Sequence, residues 1–181
     1  ELARIKLARG FSDAAVARLE ELESTTRKRG FLHRLPNIAS LQVASLLHRG
    51  EVGAAARLAG SFELPLVQAR VFLARNEPGS AFALIEPFGA EMEARGWQDE
   101  RLRALTLQAL ANHAMDRDDE ACSLLSHVLK LAEAGGFIRL FLDEGEPMER
   151  LVALAIAKGT MPAYAGKILA AFAAERKIHD E

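Results

Sequence analysis

The chain has a single cysteine, Cys122, in 181 residues. One thiol excludes an internal disulfide framework and a cysteine-based zinc site, and it fits a reducing compartment. Cys122 follows Ala121 in an apolar helical stretch, so it reads as a small core residue rather than a reactive thiol. No apolar run approaches the roughly 18 residues needed to cross a bilayer. No signal peptide is visible. The expectation is a cytoplasmic protein without a membrane partner. The formal net charge of −2 gives no overall basic footprint for nucleic acid. Sustained two-residue alternation is missing, so no sheet is expected.

Catalytic patterns are missing as well. None of the five histidines, His33, His48, His113, His127 and His179, belongs to an H-E-x-x-H pair. There is no G-x-S-x-G elbow and no G-x-x-x-x-G-K-[ST] phosphate loop. Asp116, Asp118, Asp119 and Glu120 cluster at a helix start, but they lack the twelve-residue calcium-loop pattern. No enzyme activity, metal site or cofactor site is expected in this stretch of chain.

What is present is a repeat. Half of the residues are hydrophobic and 27% are charged, an ordinary globular balance. Four segments align: "RGFSDAAVARLEEL", "RGEVGAAARLAG", "RNEPGSAFALIEPF" and "MDRDDEACSLLSHV". Their turn residues are Gly10, Gly50, Asn76 and Asp116, and an alanine follows five positions later each time: Ala15, Ala55, Ala81 and Ala121. In three of the segments Leu22, Phe88 and Val128 come next in register, then Gly30, Gly96 and Gly136, then Phe31, Trp97 and Phe137. Glycine or asparagine suits the left-handed conformation that ends a helix. The small alanine lets a second helix lie close to the first. A late glycine ends the second helix, and the aromatic beyond it is expected to close the turn by folding backwards.

The pattern predicts helices over 2–9, 12–29, 37–49, 51–60, 65–75, 79–95, 98–115, 118–134, 137–142, 147–158 and 163–176, with a kink at Pro87. Each first helix should meet its counterpart in the next unit. The predicted fold is all-α: a tetratricopeptide-like helical-hairpin superhelix, or α-α solenoid, of four to five hairpins in one domain over 1–181. Residues 137–181 form its capping portion. Phe137, Ile138, Leu140, Phe141 and Leu142 make a truncated first helix that seals the stack. Asp143–Glu146 breaks the chain, and Pro147 opens the next helix.

"GGFIRLFLDEGEPMERLV", followed by "AYAGKILAAF", closely resembles the end of the helical-repeat region of MalT-like regulators, large ATP-dependent transcription factors of the LuxR type. "RGWQDERLRALTLQALANHAMDRDDEACSLLSHVLKLAEAGG" resembles their preceding repeats. The likeness runs from about Arg95 to Phe172, and Glu1–Glu93 is only loosely repeat-like. It implies a regulatory sensor and interaction arm cut from a larger regulator. ATP would act at an upstream domain, and DNA would be met only through a downstream helix-turn-helix module. The partners implied are a small-molecule inducer or a protein, the other domains of the regulator, and further copies of the chain. The alternative is a free-standing scaffold that binds a partner peptide in its concave groove.

In tetratricopeptide-like geometry the first helices line that groove. The groove positions hold Asn37, Ser40, His48, Glu63, Arg70, Arg103, Thr106 and His113. Ser40, His48, Arg70, Arg103, Thr106 and His113 are the candidate effector or partner residues. The two arginines lead because a guanidinium fork recognises carboxylate or phosphate bidentately. Gln42, Gln68 and Gln108, each eight positions before a turn residue, are expected to bond across helices. Arg27, Lys28 and Arg29, close to His33 and Arg34, sit where cations complement a helix C-terminus.

Overall fold

The computed structural model describes residues 12–180, with side chains over 16–177. The described residues form ten α-helices and one 3-10 turn, with no strand. They divide between Arg75 and Asn76 into two compact units. A repeat array has no common centre, so each unit keeps its own core. The predicted helix over 2–9 and the turn at Gly10 lie outside the described residues.

In the first unit α1 (Ser12–Lys28), α2 (Leu35–His48), α3 (Val52–Ala59) and α4 (Pro65–Ala74) follow one another. A 3-10 turn over Leu32–Arg34, not expected from the sequence, carries the chain into α2. Neighbouring helices pair in order, and α2 also packs on α4, the predicted contact between successive first helices. Val43, Ala55, Ala59, Val67 and Val71 form the core. All five are short side chains, which lets these helices lie close.

In the second unit α5 (Pro78–Ala94), α6 (Gln98–Ala114) and α7 (Asp118–Gly135) make the hairpins. A one-turn α8 (Arg139–Leu142) leads to α9 (Glu146–Ala157) and α10 (Pro162–Asp180). α8 packs on α6, as a shortened first helix should. Helix α5 runs unbroken through Pro87, which is exposed. Five prolines instead mark first turns: Pro36, Pro65, Pro78, Pro147 and Pro162. The proline ring lacks a donor that the first turn does not use.

The turn chemistry follows the repeat. Gly50, Asn76 and Asp116 have φ of +74°, +59° and +58°, and Gly30, Gly96 and Gly136 have +71°, +72° and +64°. Phe31, Trp97 and Phe137 each return a backbone bond to Thr26, Met92 and Ala132, at 3.0, 2.9 and 3.1 Å. These are the six-to-one bonds of a Schellman ending. Ala55, Ala81 and Ala121 are buried at helix contacts. The side chain of Ala15 lies outside the described residues.

The aromatics after the glycines close their turns as expected, but they do so at the surface. Phe31, Trp97 and Phe137 are about half exposed. They fold back on their own turns rather than into a core. The Arg34 and Arg95 guanidinium carbons sit 5.5 and 5.2 Å from the Phe31 and Trp97 ring centres, within cation–π range. The Phe137 ring lies so close to Gly135 that a Cβ there would come within 2.3 Å of it. Phe141 and Leu142 are buried, as a capping segment requires, and Met148 joins them.

Candidate functional site

The proposed groove residues divide between the units. Ser40 and His48 lie on α2 and Arg70 on α4, two helices packed on each other. Ser40 and Arg70 are half-buried and His48 is exposed. In the second unit Arg103 is half-buried on α6. Thr106 is not a groove residue. It is wholly buried, and its hydroxyl donates to the Leu102 carbonyl at 2.8 Å. A threonine facing the core satisfies its hydroxyl on its own helix in this way. His113 Nδ1 lies 2.7 Å from Asp118 Oδ1. The pair fastens the turn between α6 and α7, so His113 is already engaged. Asn37 and Glu63 are exposed.

The three glutamines all bond across helices. Gln42 Nε2 donates to Glu23 Oε2 at 2.9 Å. Gln68 Nε2 donates to the Ala59 carbonyl at the end of α3 at 3.3 Å and to the Phe62 carbonyl in the following turn at 3.0 Å, and Gln108 Nε2 donates to the Ile85 carbonyl at 3.3 Å. Arg27 shares the Glu23 carboxylate, its Nε 2.9 Å from Oε1. The basic end of α1 thus includes a pair within its own helix.

A second polar surface was not anticipated. An open cleft of about 500 Å³ lies between α7 and the turn joining α9 to α10. Helix α7 contributes Cys122, Ser123, Ser126, His127 and Lys130. These positions recur at helical spacing and share one face. Lys158 and Thr160 form the opposite wall, and Asp119 closes one end. Lys158 Nζ donates to Asp119 Oδ1 at 2.6 Å. That bond holds the Asp119 carboxyl below the usual range and raises the Lys158 ammonium. Cys122 is almost fully buried, as expected for a core residue, and burial pushes its thiol pKa up. A protonated thiol is a poor nucleophile, so the cleft offers charge and hydrogen bonds. The stripe on α7 was legible as spacing. Its facing wall lies about thirty residues away in sequence, and no local pattern predicts that pairing.

Among the described residues no group of three or more His, Cys, Asp or Glu could hold a metal ion, and no helix is long and apolar enough to cross a membrane. The sequence model of a family described as "MalT-like TPR region" matches residues 1–157. It takes in the N-terminal half, whose sequence is only loosely repeat-like, and it stops short of Phe172. No curated protein and no solved structure matches the chain.

Proposed function

The chain belongs to the MalT-like TPR regions, and from that premise we propose that it is the sensor and interaction arm of a LuxR-type transcription regulator. The observation that carries this is the family match over 1–157, joined to hairpins whose turn residues have the predicted left-handed geometry. Stacked hairpins present side chains on fixed helices without a catalytic constellation, which suits recognition. In this reading the arm binds an effector or a protein partner in the cytoplasm and performs no chemistry. ATP and DNA are handled by other domains.

Reading the coding region on both sides of this chain tests the proposal. A phosphate-loop ATPase before it and a helix-turn-helix module after it are expected. Flanks without either would overturn the regulator reading and leave a scaffold. Effector binding is tested separately by a thermal-shift screen with sugars and aromatic acids. A ligand at a hundred times its dissociation constant adds about 2.7 kcal/mol of stability, enough to move the unfolding midpoint measurably.

A further inference from the structure

We propose that the cleft between α7 and the α9–α10 turn binds a small hydroxylated anion, a carboxylate or phosphate that also carries alcohol groups. Lys158 and Lys130 take the charge, and Ser123, Ser126 and Thr160 take the hydroxyls. The biological meaning of the site rests on the sensor reading, but the binding itself does not.

The cleft already holds an anion of its own. The Asp119 carboxylate occupies Lys158 Nζ at 2.6 Å, and its side chain is 94% exposed. Little besides that bond restrains it, so it can rotate into solvent when a better acceptor arrives. An incoming anion gains what Asp119 lacks: the second ammonium of Lys130 and the hydroxyls on both walls. Charge-assisted bonds from two cations outcompete one surface carboxylate. The nearby acid Asp118 is engaged with His113.

The walls are fixed before any ligand arrives. Gly159 has φ of +81°. Its N–H donates to the Ile156 carbonyl at 2.8 Å, and the Thr160 N–H donates to Ala155 at 2.9 Å. This ending presents Lys158 and Thr160 from a defined turn. The Tyr164 hydroxyl donates to the Ala132 carbonyl at 3.2 Å and ties α10 to α7. A volume of about 500 Å³ lies within the range of small-molecule sites. Hydroxyls and the His127 imidazole flank the lysines, so the lining suits a polyol-bearing anion better than a bare one. Because the walls belong to α7 and to the turn into α10, an occupant would clamp the C-terminal helices to the hairpin before them.

The test is an amide NMR titration of the 181-residue chain with glycerol 3-phosphate, glycerate, inorganic phosphate and glycerol. Saturable shifts confined to 119–130 and 158–160 are expected with the first two, and the tighter of them identifies the anion. Inorganic phosphate should bind more weakly and glycerol not at all. Lys130→Gln should weaken binding by about fivefold, the scale of one charge-assisted contact. Asp119→Asn should tighten it by roughly threefold, since it releases Lys158 and removes a like charge. Circular dichroism checks that both variants keep the wild-type fold. The proposal is overturned by an absence of saturable shifts at millimolar ligand. Equal affinity for phosphate and glycerol 3-phosphate overturns it too, as does indifference to both substitutions. A failed titration beside regulator-type flanks removes only this site, whereas a positive one beside other flanks removes only the regulator reading.

Discussion

Phe141 and Tyr164 meet edge to face, their ring centroids 6.4 Å apart and their planes at 78°. Phe141 has no exposed surface and Tyr164 has 4%. The pair joins the one-turn α8 to α10, and the Tyr164 hydroxyl, donating to Ala132, adds α7. Arg139 reaches both Asp143 and Glu175, and Arg176 reaches Glu149. These ion pairs are solvent-exposed, and such pairs contribute little. The docking of the last helices therefore depends on the buried rings and on the buried Met148, Leu151 and Ile168 of α9 and α10.

Phe141→Ala should cost about 3–5 kcal/mol, the range for truncating a buried aromatic. The loss should be local first, because α8 has only four residues and no helix of its own to fall back on. Hydrogen exchange should show α9 and α10 losing protection before α5–α7. Wild-type protection across 146–177 in the variant would make the segment a passive linker.

Gly145 has φ of +70° and ψ of −154°, a region open essentially to glycine alone. A Cβ built there meets nothing within 4 Å, so the barrier to substitution is backbone strain and not crowding. Gly145→Ala should therefore destabilise by about 1–3 kcal/mol even with room for the methyl, and Gly145→Val by at least as much. Urea denaturation decides it. An alanine variant as stable as wild type would show that the turn relaxes freely.

The helices were legible because turn residues and apolar spacing repeat in register. Gly50, Asn76 and Asp116 were identified from position alone, and all three have positive φ. The same spacing marks Ala81 and Ala121 as buried, and Ala55 at the matching position is buried too. Thr106 was misplaced because a helical wheel cannot show which flank of α6 meets α5 and which meets α7. Both helices pack on it, so most of its surface is core. The half-exposed Phe31, Trp97 and Phe137 follow from a local backbone motif that fixes the chain path but not the depth of the next side chain. Lys158 and Thr160 reach the α7 stripe only through the α9–α10 turn, a tertiary relation without a local signature.

Ala121 is fully buried where α7 lies against its neighbours. Ala121→Leu adds volume where the helices already touch and should cost about 1–3 kcal/mol. Ala121→Gly, which instead weakens the helix, should cost about 1 kcal/mol. Thermal unfolding of the two variants checks the order. A leucine variant at wild-type stability would mean that the register of the hairpin contact is wrong.

Glu23 connects stability to pH. The Gln42 amide and then the Arg27 guanidinium bond its carboxylate and hold its pKa below the usual glutamate range. A depressed native pKa means that the unfolded chain binds the proton more readily. The contribution of Glu23 is therefore complete above its unfolded value, about 4.3, and is lost as pH falls through the lower native value. A carbon-detected NMR titration should place the Glu23 midpoint below that of an ordinary glutamate. Gln42→Leu, which removes the largest cause, should move it upward. A wild-type midpoint in the ordinary range, or one that Gln42→Leu leaves in place, would deny the bond its role.

Gly89 sets how closely α5 approaches α6. A Cβ there would lie 3.0 Å from Gln108 Nε2 and 3.3 Å from the Ala104 Cβ. Gly89→Ala gains up to about 1 kcal/mol of helix propensity, but the methyl must push aside the amide that bonds the Ile85 carbonyl. The two effects oppose each other, and Gln108 decides between them. In a Gln108→Ala background the amide is gone and the methyl enters vacated space, so the propensity gain should survive. A double-mutant cycle in urea should therefore give a coupling of at least about 0.5 kcal/mol, with Gly89→Ala the more favourable in the Gln108→Ala chain. Additive effects would show that glycine is not required for this close approach, and that Gln108 spans a gap with room to spare.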